Sequence, residues 1–100
     1  MIVELVQPTL AKEIGQGVTI VDFWATWCQP CKAINAELER LVQMRPGVKV
    51  VKVNVDKHPG LVAEYQVKSV PTVLVFNGSL TPASLPGVTR AEEIIRKFSL

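Results

Sequence analysis

One hundred residues, 48% of them apolar, suit one folding unit with one core, and a net charge of +2 with acids and bases interspersed provides no concentrated basic face for nucleic acid. No apolar run nears the ~20 residues of a membrane span, and the start Met1-Ile2-Val3-Glu4-Leu5 lacks the basic and apolar regions of a cleaved export signal. The expectation is a single domain over residues 1–100, cytoplasmic, contacting neither membrane nor nucleic acid.

Val3 to Val6 reads as a short first strand. Pro8 suits the first turn of a helix, Leu10 and Ile14 recur at i, i+4, and Gly15 suits its end. Val18 to Trp24 is apolar except for Thr19 and Asp22, the density of a strand covered on both faces of a central sheet. From Cys31 the period changes. Ile34, Leu38, Leu41 and Val42 share one helical face until Pro46-Gly47 stops the helix. Val48 to Val55 is β-branched and predicts a strand; Leu61 to Tyr65 predicts a short helix after Pro59; Thr72 to Phe76 predicts a further strand. Asn77-Gly78 predicts a two-residue hairpin, returning a strand that Pro82 and Pro86 confine to the sheet edge. Thr89-Arg90-Ala91-Glu92 reads as a capping box opening a last helix with Ala91, Ile94, Ile95 and Phe98 on its apolar face. The order β-α-β-α-β-α-β-β-α makes an α/β fold with a parallel start and an antiparallel edge.

The chemistry concentrates at Cys28-Gln29-Pro30-Cys31, between a predicted buried strand and a predicted helix; the chain holds two cysteines, both here. Thiols at i and i+3 can close a small disulfide ring, and the free N–H groups of a helix start stabilise a thiolate. A bare C-x-x-C fits a redox pair, half a zinc site or chance. A structural zinc site takes four N or S ligands. Beyond the two cysteines only His58 is available, so a site within one chain stays incomplete, although a bridged dimer supplies four thiolates. A purely structural bridge over so small a loop restrains little unfolded-chain entropy. The strand-loop-helix setting favours redox work, with no metal expected. Asp22, a carboxylate inside an apolar strand, is expected to have its pKa raised by burial. Trp24 is expected in the core and His58 at the surface.

Val21-Asp22-Phe23-Trp24-Ala25-Thr26-Trp27-Cys28-Gln29-Pro30-Cys31-Lys32 resembles the active-site segment of the thioredoxin family. Val70-Pro71-Thr72 resembles that family's cis-proline loop, Lys52-Val53-Asn54-Val55-Asp56 its third strand, Asn77-Gly78 its hairpin turn and Gly87 the glycine before its last helix. The matches run in order along nearly the whole chain. The resemblance implies a thioredoxin fold, a three-layer α/β/α sandwich around a central mixed sheet with a parallel start and an antiparallel C-terminal hairpin. It implies a protein-disulfide reductase cycling between a Cys28/Cys31 dithiol and its disulfide, with no bound cofactor. Cys28 would be the nucleophile and Cys31 the resolving thiol. Asp22 would accept a proton from Cys31 through water, with Lys52 beside it. Pro71 would be cis, and Trp27, Pro30, Val70, Pro71, Gly87 and Val88 would form an apolar rim for substrate. The implied partners are an NADPH-dependent thioredoxin reductase and oxidised proteins, met by a monomer.

The chain departs from the family pattern in four places. Gln29 stands where glycine usually precedes the proline between the cysteines, which is expected to shift the reduction potential. Ala36 replaces a helix-kinking proline, Ser69 replaces a frequent glycine, and the last strand carries two prolines. Two rival functions keep the same fold: an oxidant or disulfide isomerase of shifted potential, and a non-catalytic binding module using the apolar rim.

Overall fold

The computed structural model describes residues 1–15, 17–78 and 81–100. In chain order these form β1 (Ile2–Glu4), β2 (Val18–Trp24), α1 (Pro30–Met44), β3 (Lys49–Asn54), α2 (Pro59–Glu64), β4 (Thr72–Asn77), β5 (Ala83–Pro86) and α3 (Ala91–Phe98). The strands make one sheet in the order β1-β3-β2-β4-β5. β1, β3 and β2 run parallel, β4 runs antiparallel to β2, and β5 antiparallel to β4.

Side chains alternate across the pleat and both faces of the sheet are covered, which is why the central strands are mostly apolar, with Thr19, Asp22, Lys49, Lys52, Asn54, Thr72 and Asn77 as the exceptions. Ile20, Val50, Val73 and Val75 face one side and are covered by Ile34, Leu38 and Leu41 of α1 and by Ala91 and Ile94 of α3. Val21, Phe23, Val51, Val53, Leu74 and Phe76 face the other, under Leu5, Leu10 and Leu61 of α2. Helix, sheet and helix form three layers, as expected.

Local signals misled at four points. Pro8 to Gly15 predicts a helix, but the chain makes a single turn there, with the Glu13 and Ile14 N–H groups donating to the Leu10 carbonyl. So short a segment gains few hydrogen bonds for the dihedrals it must fix. The hairpin is longer than Asn77-Gly78 suggests: Val75 faces Ala83, too far along the chain for a two-residue turn at that pair. Gly78 takes φ +74°, a conformation that favours glycine. Ser79 and Leu80 lie outside the described residues. The first strand ends at Glu4, earlier than Val6.

The capping box at Thr89 does not form. Arg90 is the N-cap of α3 and makes no side-chain cap bond. The Ala91 N–H instead donates to Glu37 Oε1 of α1, at 3.0 Å. Glu37 also bonds Arg40, which pairs with Glu92 of α3, so one acidic side chain both caps α3 and ties the helices together.

Candidate active site

The apolar run of β2 ends at Trp24, and the chain turns so that the Cys28 N–H donates to the Ala25 carbonyl. Helix α1 then opens at Pro30, whose missing N–H is no loss in a first turn. Gln29 is the N-cap but offers no side-chain bond. The Cys31 N–H finds its acceptor in Cys28 Sγ, at 3.2 Å. One sulfur thus takes the hydrogen bond that a capping oxygen usually accepts.

Cys28 and Cys31 are joined as a disulfide, their Cα atoms 5.4 Å apart. Both are largely covered, 6% and 5% exposed. They pack with Ala25 and against Trp24, Val55 and Val70. Among the described residues, no group of three or more His, Cys, Asp or Glu side chains comes together to hold a metal ion.

Asp22 is fully buried, and neither carboxylate oxygen has a hydrogen-bond partner within the protein. It shares a face of the sheet with Ile20, beneath α1. Burial pushes its pKa up from 3.8 to about 7; the Lys52 ammonium opposes this rise and the Glu4 carboxylate adds to it. Lys52 stands opposite Asp22 in the β2–β3 register, half-buried, with Nζ 4.8 Å from the centre of the Trp24 ring. Trp24 is half-buried rather than core. Its Nε1 donates to Glu4 Oε2 at 3.1 Å, because an indole near an opening keeps its polar end bonded. Trp24, Ala25, Thr26, Lys32, Asn35 and Lys52 join both cysteines around a cavity of ≈ 200 Å³.

Of the residues expected to form a rim, Trp27 and Val70 line one shallow cavity. Trp27 is 69% exposed, its Nε1 held by Asp56 Oδ2 at 3.0 Å; Val88 is 47% exposed, and Pro30 is exposed. Val70 packs against the disulfide. The Val70-Pro71 bond is cis. Pro71 itself is buried rather than part of an open rim, its carbonyl accepting the Gly87 N–H at 2.9 Å, and Gly87 takes φ +81°. Thr72 Oγ1 donates to the Ser69 carbonyl at 2.6 Å, closing the turn before β4. His58 is half-buried, a ring nitrogen 3.1 Å from the Leu5 carbonyl. Glu4, which holds Trp24, carries no motif and passes unnoticed in the sequence, and Asp56, though it closes the third-strand segment, is given no role there; the signal available is that each indole N–H near the cysteines needs an acceptor from somewhere.

Residues 2–99 match the family model described as Thioredoxin. Thioredoxins of Staphylococcus aureus strains Mu50 / ATCC 700699 and MW2 are each 42% identical to the chain over 76 residues, spanning 75% of this chain and 73% of theirs. The crystal structure of chloroplastic thioredoxin z superposes with a TM-score of 0.79 at 31% identity, over 90% of this chain and 82% of that one. With the disulfide at the start of α1, these likenesses settle the matter: the chain belongs to the thioredoxin family and is a thiol-disulfide oxidoreductase of the disulfide-reductase kind.

Proposed function

We propose that the chain reduces disulfides of other proteins through a Cys28/Cys31 cycle in which Asp22 and Lys52 manage the proton. The observation that carries this reading is the Cys28–Cys31 bridge at the first turn of α1, with Cys28 Sγ accepting a backbone N–H. In the reduced protein that donor, together with the helix dipole, stabilises a Cys28 thiolate. The thiolate attacks one sulfur of a substrate disulfide; that S–S bond breaks, one substrate thiolate leaves, and a mixed disulfide forms. The Cys31 thiol passes its proton to Asp22, through water, and the Cys31 thiolate attacks Cys28 Sγ. The second substrate thiolate leaves and the Cys28–Cys31 bond closes. Two electrons have passed to the substrate.

Trp27, Pro30, Val70, Gly87 and Val88 dock an extended substrate segment beside the bridge, with Pro71 supporting Val70 and Gly87 from beneath. No bound cofactor takes part. Electrons return from a reductase that draws on NADPH, the partner expected of this family. The protein acts as a cytoplasmic monomer of one domain, residues 1–100; no described helix is long and apolar enough to cross a membrane. Gln29 shifts the potential from the family's usual poise, in a direction that equilibration with a glutathione buffer reads out.

The test is insulin-disulfide reduction, driven first by dithiothreitol and then by NADPH with a thioredoxin reductase. Turnover is expected in both, and Cys28→Ser abolishes it. A Cys28→Ser variant with wild-type turnover overturns the mechanism; activity with dithiothreitol alone removes the proposed electron source.

A further inference from the structure

We propose that Glu4 is a positioning residue for the exchange reaction: from β1 it anchors the Trp24 indole and shares the Lys52 ammonium with Asp22, so that it governs how far the Lys52 charge reaches Asp22. The proposal rests on the reading of Asp22 as the proton acceptor.

The register puts the three charges in one row. Glu4 stands opposite Lys52 across the β1–β3 pair, and Lys52 stands opposite Asp22 across the β3–β2 pair. Alternation along each strand turns all three to the face of Ile2, Val50 and Ile20, the face covered by α1 and α3. Lys52 therefore sits between two carboxylates, one exposed and one fully buried.

Trp24 ties the row together. It leaves β2, yet its Nε1 reaches Glu4 on β1, with β3 between. Its ring consequently spans β3, and Lys52 Nζ rests against it. A cation held on a ring face has less freedom to swing into solvent. Glu4 thus acts twice: its hydrogen bond sets the ring that restrains Lys52, and its charge competes for the same ammonium.

The field has a definite sign. At Asp22, Lys52 favours the carboxylate and Glu4 disfavours it. The other elements packed here add little charge. Opposite Asp22 on β4 is Val73. α1 brings Cys31 and Lys32 to the adjoining cavity. α3 packs through Ala91 and Ile94 and leaves Glu92, Glu93, Arg96 and Lys97 exposed. Glu4 is therefore the acidic side chain that offsets part of the Lys52 charge at Asp22, adding to the burial that is the larger reason this carboxyl holds its proton near neutral pH.

Two variants separate charge from anchoring. Glu4→Gln keeps an acceptor for the Trp24 N–H and removes the charge; Glu4→Ala removes both. The Asp22 carboxyl is titrated by carbon-13 NMR in the full chain, and the pH dependence of insulin reduction is recorded alongside. Glu4→Gln is expected to move the Asp22 midpoint to lower pH with the Trp24 indole signal unchanged, and to move the pH–rate profile the same way. An unmoved or raised midpoint in Glu4→Gln overturns the proposal, as does a change seen only in Glu4→Ala, which would make Glu4 a structural clamp. Asp22→Asn isolates the underlying reading: a pH–rate profile that survives it removes Asp22 as the proton acceptor and the kinetic half of the proposal with it, while the NMR midpoint still decides whether Glu4 controls the charge at Asp22.

Discussion

At the scale of single residues, Asp22 sets the balance between stability and chemistry. A fully buried carboxyl without a hydrogen-bond partner resists ionisation, and its pKa stands at about 7 instead of 3.8. The folded state therefore holds this proton across a range where the unfolded chain has already lost it. Its contribution to stability is fully present below the unfolded value of 3.8 and is lost as pH rises through about 7. Asp22→Asn removes that dependence. The variant should be more stable than the parent by on the order of 4 kcal/mol at pH 8, and about equal to it near pH 4. Urea unfolding at the two pH values checks this; parallel curves with a constant gap would mean that Asp22 does not titrate in this window. On the proposed mechanism the same substitution lowers turnover, since Asp22 is there the acceptor of the Cys31 proton. Asp22 was legible in the sequence because a lone carboxylate interrupts an apolar strand. Of its charged modulators, Lys52 was legible through the family resemblance and Glu4 was not, since Glu4 stands two strands away on β1.

The elements carry their own signals unequally. The faces of α1 and α3 follow from helical spacing alone: Ile34, Leu38 and Leu41 recur at three and four, and all are buried. Helix ends are different. Thr89 and Glu92 satisfy the local rule for a capping box, yet the Ala91 N–H is taken by Glu37, 54 residues earlier in the chain. A preformed acceptor on a packed neighbour displaces the local one. Glu37→Ala should therefore destabilise the fold by about 1 kcal/mol, the worth of an N-cap, and Glu37→Gln by less because the amide oxygen can still accept. Thermal melts of the two variants test the ranking, and equal melting temperatures for the Glu37→Ala variant and the parent would show that water caps α3 as well as Glu37 does. Insulin reduction should be unchanged in both, since Glu37 lies away from the bridge. The turn at Leu10–Ile14 shows the same limit: Leu10 is buried in the core, yet the segment is too short for helical spacing to become a helix.

At the scale of the molecule, a two-faced sheet makes each side of the core hostage to the other. Phe76 lies in the core under α2, its ring edge-on to Tyr65 with centroids 6.0 Å apart. Phe76→Ala is expected to cost about 3–5 kcal/mol, a large share of the roughly 5–15 kcal/mol that holds such a domain together. Its urea midpoint should fall accordingly, and a loss below about 1 kcal/mol would indicate that the cluster collapses around the gap. What the chain's order of residues determined by itself was the class of fold, the covered strand, the amphipathic helices and the sulfur pair at a helix start, because these are periodicities and spacings within a few residues. Only the tertiary structure decided the strand order that lines up Glu4, Lys52 and Asp22, the Trp24 ring laid across them, the burial of Pro71 and the remote cap on α3. Those depend on which distant segments pair, and pairing is settled by the joint burial of both faces of the sheet, a property no short stretch of sequence possesses.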